Sequence, residues 1–276
     1  MKDYTLKYGK GSVTFALDEA HVTELYGTPV PKIDDIRAAL YATLSSPVSH
    51  EPLESWVNPG DKVALIVSDM SRFWMRQDLV VPHIISYLTD KCDVNQNNIT
   101  IIIANGTHPG GDENELRTLV TDGVYDRIRV VNHDCQAKDL VYIGTTSLGT
   151  EVRINPIAAN ADKVIMLGAC TYHVMAGYGG GRKSILPGIS GLETIRQNHL
   201  HSLDLLAPRS NPLIGNGVTD GNPLNEDMCQ AAAMVKNLFG INLVTNADMQ
   251  LAHIISGDPM KSWQLACHRV DEIYRG

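Results

Sequence analysis

The sequence predicts an α/β fold, a mostly parallel Rossmann-like sheet with helices on both faces, preceded by an N-terminal β-hairpin. Two observations carry this. Short continuous apolar runs, "VALIV" (63–67), "ITIIIA" (99–104), "IRVV" (128–131) and "VIMLGA" (164–169), read as strands buried on both sides. Helical segments alternate with them, as expected where crossover helices cover both faces of a parallel sheet. With 276 residues, 43% of them apolar, the chain can bury a substantial core. No repeat, low-complexity tract or linker divides it, so residues 1–276 read as one domain.

Taken in order, "YTLKYGKGSVTFAL" alternates, turns at residues 9–11 and alternates again, which predicts the hairpin. Ile33, Ile36, Leu40 and Leu44 share a helical face over 33–46, and Pro47 ends it. "LVVPHIISYL" (79–88) is a helix between the first two strands. Asp112 with Glu115 three residues on has capping-box spacing and opens another. "DLVYIGTTSLGTEVRINP" predicts an antiparallel excursion before the strand at 164–169. After Gly191 the pattern turns helical and loop-rich, and "PLNEDMCQAAAMVKN" forms a helix. "INLVTNADMQLAHII" reads as a strand pair turning at Asn246–Ala247. A last helix starts with Asp258 as N-cap and Pro259 at its first position, placing Met260, Trp263, Cys267 and Val270 on one face.

Composition excludes some classes. A net charge of −8 argues against nucleic acid or an anionic membrane as partner, so any anion site must be local. No apolar run reaches the roughly 20 residues of a membrane span, and the N-terminus lacks a signal-peptide core. Five scattered cysteines without a C-x-x-C pair suit reduced thiols and a cytoplasmic location.

Each of the four strands is followed at once by polar residues: Ser68, Asp69 and Arg72; Asn105 to His108; Asn132, His133 and Asp134; then His173 and Lys183. The carboxyl ends of a parallel sheet lie on one edge, where ligands bind. The topology would thus gather Asp69, Arg72, His108, His133, His173 and Lys183 in one cleft. Histidine is the natural acid or base near neutral pH. Asp69 and Arg72 suit either a local ion pair or an arginine left free to hold a carboxylate or phosphate. His199 and His201, two apart, have a spacing that can serve a metal, or are incidental.

"GYGGGRKS" (177–184) fails both common phosphate-loop patterns. Arg182 stands where a P-loop or a dinucleotide fingerprint needs its last glycine. The glycines permit close backbone approach to a ligand, and a desolvated Lys183 could act as a nucleophile. A P-loop-like phosphotransferase is the competing reading, disfavoured by Arg182.

At this point "HVMAGYGGGRKSILPGISGLETIRQNH" (173–199) resembles the signature of the nickel-dependent lactate racemase family. "SDMSR", "NGTHPGGDENEL" and "GNPLNED", in the same order, are similar to its other motifs. The resemblance spans nearly the whole chain. It implies a nickel pincer nucleotide, a pyridinium mononucleotide whose two sulfur-containing arms clasp nickel together with a ring carbon. Lys183 matches the lysine that binds this cofactor covalently through a thioamide. Gly179, Gly180 and Gly181 would make room for it, and His199 matches the nickel ligand. His108 and His173 match the two acid/base histidines, and Asp69 and Arg72 match residues around cofactor and substrate. The implied reaction is racemisation or epimerisation of a small 2-hydroxy acid by reversible hydride transfer through a planar 2-keto acid. Cofactor-making proteins would be partners; a cofactor-binding module without turnover is the alternative. Two departures stand out. Relatives continue into a second α/β domain absent here, so this chain alone is expected to be inactive. Phe73 and Trp74 after Asp69 are bulky enough to narrow the substrate pocket.

Overall fold

The structure is a computed structural model that describes residues 1–9 and 11–275. Strands β1 (Lys2–Tyr8) and β2 (Gly11–Leu17) form the expected antiparallel hairpin. Lys10, within the turn expected at residues 9–11, lies outside the described residues. Helices α1 (Ile36–Ser45) and α2 (Leu53–Trp56) lead into β3 (Val63–Ser68). Helix α3 (Val81–Asp90) connects to β4 (Ile99–Ala104), and α4 (Glu113–Val120) with α5 (Asp122–Tyr125) leads to β5 (Arg129–Asn132). The antiparallel pair β6 (Val141–Thr145) and β7 (Glu151–Ile154), then α6 (Pro156–Ala159), precede β8 (Lys163–Ala169). Beyond it lie β9 (Tyr172–His173), β10 (Ala176–Tyr178), α7 (Leu192–Leu200), β11 (Gly215–Asn216) and α8 (Pro223–Ala233). Strands β12 (Leu238–Thr245) and β13 (Leu251–Gly257) and helix α9 (Pro259–Tyr274) complete the fold.

The central sheet has the order β13-β12-β8-β3-β4-β5. Every neighbouring pair from β12 to β5 is parallel, and only β13 runs antiparallel. The period-2 geometry of strands divides its side chains between two cores. Val63, Leu65, Val67, Ile101, Ile103 and Ile165 face one core with α1, α3 and α4. Ala64, Ile66, Ile102, Val164 and Met166 face the other with α8 and the segment before α7. Helices therefore cover both faces, which is why these strands read as unbroken apolar runs.

Local signals place most boundaries. The carboxylates of Asp35, Asp112 and Asp258 accept backbone N–H bonds at the starts of α1, α4 and α9. Helix α1 begins after Ile33, which packs partly buried on the core outside the helix. Helix α3 begins two residues later than its apolar pattern suggested, because Gln77–Leu79 form a separate 3-10 turn after Arg76 at φ 58°. Strand β12 starts at Leu238, three residues earlier than read from the sequence, and is buried throughout.

From β3 the chain builds outward through β4 to β5, then returns to place β8 on the other side of β3. The strand order reverses between β3 and β8. A crevice at the carboxyl ends of two such strands is the general ligand site of open α/β sheets.

Candidate active site

A cavity of about 450 Å³ occupies that crevice. Asp69 and Arg72 enter it from the loop after β3, and Asn105 and His108 from the loop after β4. His173, Gly179, Gly180 and Lys183 enter from the segment after β8, and His199 from α7. The three histidines and the lysine singled out from the sequence line one hollow.

Asp69 and His108 form a pair, Oδ2 to Nδ1 at 2.5 Å. The carboxylate's other oxygen accepts from Ser71 Oγ at 2.6 Å. The local Asp69–Arg72 ion pair, one of two sequence readings, is not formed. Arg72 Nη1 donates to the carbonyl and hydroxyl of Ser71, and the exposed guanidinium has no carboxylate in ionic reach among the described residues. A carboxylate at Nδ1 keeps the His108 proton there and leaves Nε2 as a base.

His199 Nδ1 donates to the Ile195 carbonyl one turn back, at 2.8 Å. That contact holds the ring as the tautomer with a bare Nε2, the form in which imidazole binds a metal. Burial lowers its pKa, the Ile195 carbonyl opposes that, and Lys183 adds to the lowering. Among the described residues no three His, Cys, Asp or Glu side chains converge as a metal site.

Lys183 Nζ lies 2.9 Å from His173 Nε2. Burial, then the nearby positive charges of Arg182 and Arg72, lower the lysine to about 7. Burial and then Lys183 push His173 down to about 3.

Arg182 explains the broken glycine pattern. It is fully buried without a carboxylate. Its nitrogens donate to the carbonyls of Ala176, Tyr178, Gly179 and Gly180 at 2.7–3.3 Å and to Asn225 Oδ1 at 2.9 Å. Trp263 from α9 lies 3.8 Å below the guanidinium and donates from Nε1 to Gly179 O. The arginine folds the loop around itself and is fully buried, so it presents no face to a phosphate. Nothing in the local pattern distinguished this role, and Trp263 had shown only its apolar face.

Gly179 and Gly180 line the cavity, and a Cβ on either would press on Ala169 O at 2.9–3.0 Å, so their smallness also seats the loop on β8. Other expectations need correction. Gly181 does not line the cavity. It has φ +50°, and its Cβ would meet Trp263 at 2.7 Å, so it serves packing. His133 is buried outside the site, donating to Ser190 O and accepting from Asn155, and ties the end of β5 to neighbouring loops. His201 does not join His199, because residues two apart near a helix end project in different directions. It lines a separate hollow, 3.9 Å from Asp227. Trp74 lines the cavity, whereas Phe73 packs on the core. Asn105, to which the sequence assigned no role, has its Oδ1 buried beside the cavity without a partner among the described residues.

The model of the lactate racemase N-terminal domain family matches residues 8–209. The chain belongs to this family. It is 27% identical over 282 residues to the lactate racemase of Thermoanaerobacterium thermosaccharolyticum, a match covering 99% of this chain and 63% of that protein. It is also 27% identical to the lactate racemase of Lactiplantibacillus plantarum, covering 97% of this chain and 62% of that protein. The chain thus spans less than two thirds of the length of these relatives. Its structure superposes on the lactate racemase apoprotein of T. thermosaccharolyticum with a TM-score of 0.86 at 25% identity, covering 99% of this chain and 63% of that one. A crystal structure of a Thermotoga maritima protein shares the fold at TM-score 0.66 and 18% identity, covering 90% of this chain and 61% of that one. No helix among the described residues is long and apolar enough to cross a membrane.

Proposed function

We propose that this lactate racemase family chain carries the cofactor-binding and proton-handling groups of a racemase or epimerase acting on lactate or a related 2-hydroxy acid. The cofactor in this reading is a nickel pincer nucleotide joined covalently to Lys183. The observation that carries it is the convergence of Lys183, His108, His173 and His199 on one cavity at the switch point. When bound, the nucleotide supplies a reversible acceptor for the C2 hydride.

The residues fit such a group. Lys183 offers an amine of lowered basicity for attachment. His199 presents a bare Nε2 to a metal, its other nitrogen held by Ile195. The orphaned Asn105 Oδ1 awaits a donor from whatever fills the hollow. His108, held by Asp69, takes the hydroxyl proton of the substrate and returns it. His173 is the second acid/base group, brought in by β9 on a different loop. Arg72 pairs with the substrate carboxylate, and Trp74 bounds the space left for its side chain. A cytoplasmic location and contact with cofactor-making proteins belong to the same reading.

The test is intact mass and chiral chromatography. Co-expression with the cofactor-making proteins should add one adduct at Lys183, absent in Lys183→Ala, and the loaded full-length gene product should interconvert enantiomers of at least one 2-hydroxy acid. An adduct without interconversion would mark a binding module. Full interconversion by Lys183→Ala would refute the attachment.

A further inference from the structure

The contacts of His173 assign protons as well as positions. Its Nδ1 accepts from the backbone N–H groups of Met175 at 3.2 Å and Ala176 at 3.1 Å. Backbone amides only donate, so Nδ1 must carry the ring's lone pair. In the neutral imidazole the single ring proton then sits on Nε2. That nitrogen lies 2.9 Å from Lys183 Nζ. An ammonium only donates and Nε2–H only donates, so the contact is a hydrogen bond only when Lys183 is the uncharged amine. The surroundings agree. No carboxylate pairs with Lys183 among the described residues, and its charged neighbours are the guanidinium groups of Arg72 and Arg182.

We propose that His173 is a positioning residue for Lys183, holding it as a free-amine nucleophile before any group is attached, and that acylation of Lys183 releases the His173 Nε2–H to the cavity. This rests on the reading of Lys183 as the attachment site and adds how the chain arms it. In the attachment step the amine lone pair forms an N–C bond to the carbonyl or thiocarbonyl carbon of an acyl group. The leaving group departs with its electron pair, and one amine proton goes to it or to solvent; nothing is oxidised or reduced. The product nitrogen shares its lone pair with C=O or C=S and can no longer accept from His173. The histidine is thus occupied in the unloaded protein and free in the loaded one, so loading precedes competence.

The experiment uses the unloaded protein and acetic anhydride as the acyl probe, with an ordinary lysine peptide in the same sample. Peptide mass spectrometry follows acetylation of Lys183 from pH 5 to pH 10. Half-maximal labelling is expected near pH 7, with a rate at pH 7 about ten-fold or more above the reference peptide. Nitrogen NMR of labelled histidine should show His173 Nδ1 unprotonated and Nε2 protonated, with the Nε2 proton exchanging faster with water after acetylation. His173→Glu, which sets a carboxylate beside the amine, should move the midpoint up toward that of ordinary lysine. A wild-type midpoint near that of ordinary lysine, a proton on Nδ1, unchanged exchange, or an unmoved midpoint in His173→Glu overturns the proposal. The two readings fail separately. A cofactor adduct on a lysine that titrates ordinarily removes this inference alone, whereas an armed Lys183 that never receives the adduct removes only the attachment reading.

Discussion

Of the three histidines in the cavity, His108 and His199 carry the proton on Nδ1 and His173 on Nε2, each assignment set by what the Nδ1 nitrogen meets. His108 is governed by a carboxylate, His199 by a carbonyl and His173 by two amides. Asp69 therefore acts through His108. Asp69→Asn substitutes a side chain that can also donate, freeing the ring to adopt the other tautomer. We expect interconversion by the loaded full-length gene product to fall by about 10²-fold or more, chiefly in kcat. Lys183 makes a prediction about stability. Its folded value of about 7 lies below that of an ordinary lysine. Below pH 7 both states are charged and the native state bears the full cost of burying the ammonium. Between pH 7 and the ordinary lysine value the unfolded chain holds a proton that the native one lacks, so stability rises with pH. Lys183→Met should accordingly stabilise the unloaded protein at pH 6 by about 1–3 kcal/mol, with the gain shrinking by pH 10. Urea unfolding at the two pH values checks both the sign and the trend.

The glycine-rich segment between β10 and α7 is an element built inside out, with its largest charged side chain at its centre. Arg182 satisfies carbonyls that the irregular backbone cannot pair with itself, and α9 closes over it through Trp263. Arg182→Met removes the donors and strands those carbonyls and Asn225 Oδ1. A loss of about 3–5 kcal/mol is expected in urea unfolding. The same change should abolish the selective reactivity of Lys183, since the residue next in sequence would lose its anchor. Glycine at 181 is required here by its left-handed φ and by the face of Trp263, a packing reason that a motif alone cannot distinguish from a ligand-binding one.

At the scale of the whole molecule, distant segments are tied together beneath the site. The buried Asp227 carboxylate on α8 accepts from Thr146 at 2.5 Å, Thr150 at 2.9 Å and Asn198 at 2.8 Å, joining the β6–β7 turn to the helix that carries His199. Asp227→Ala leaves three buried donors unpaired, and a loss of about 2–4 kcal/mol is expected by the same measurement. The sheet, its helices and the polar strand ends were legible in the sequence, because apolar period, caps and turn residues are local properties of the chain. So was the gathering of Asp69, His108, His173 and Lys183 along one edge, whereas His199 joined them only through the family resemblance. Their partners were not. Asp69 meets His108 across 39 residues, Arg182 meets Asn225 across 43 and Gly179 meets Trp263 across 84. His133 and His201 looked equivalent to the others along the chain, yet packing turned them away. By itself the sequence determined which polar residues follow the strand ends at the carboxyl edge of a parallel sheet; only tertiary structure decided which of them share one hollow and which nitrogen of His108 bears the proton, since both depend on partners brought from other strand ends.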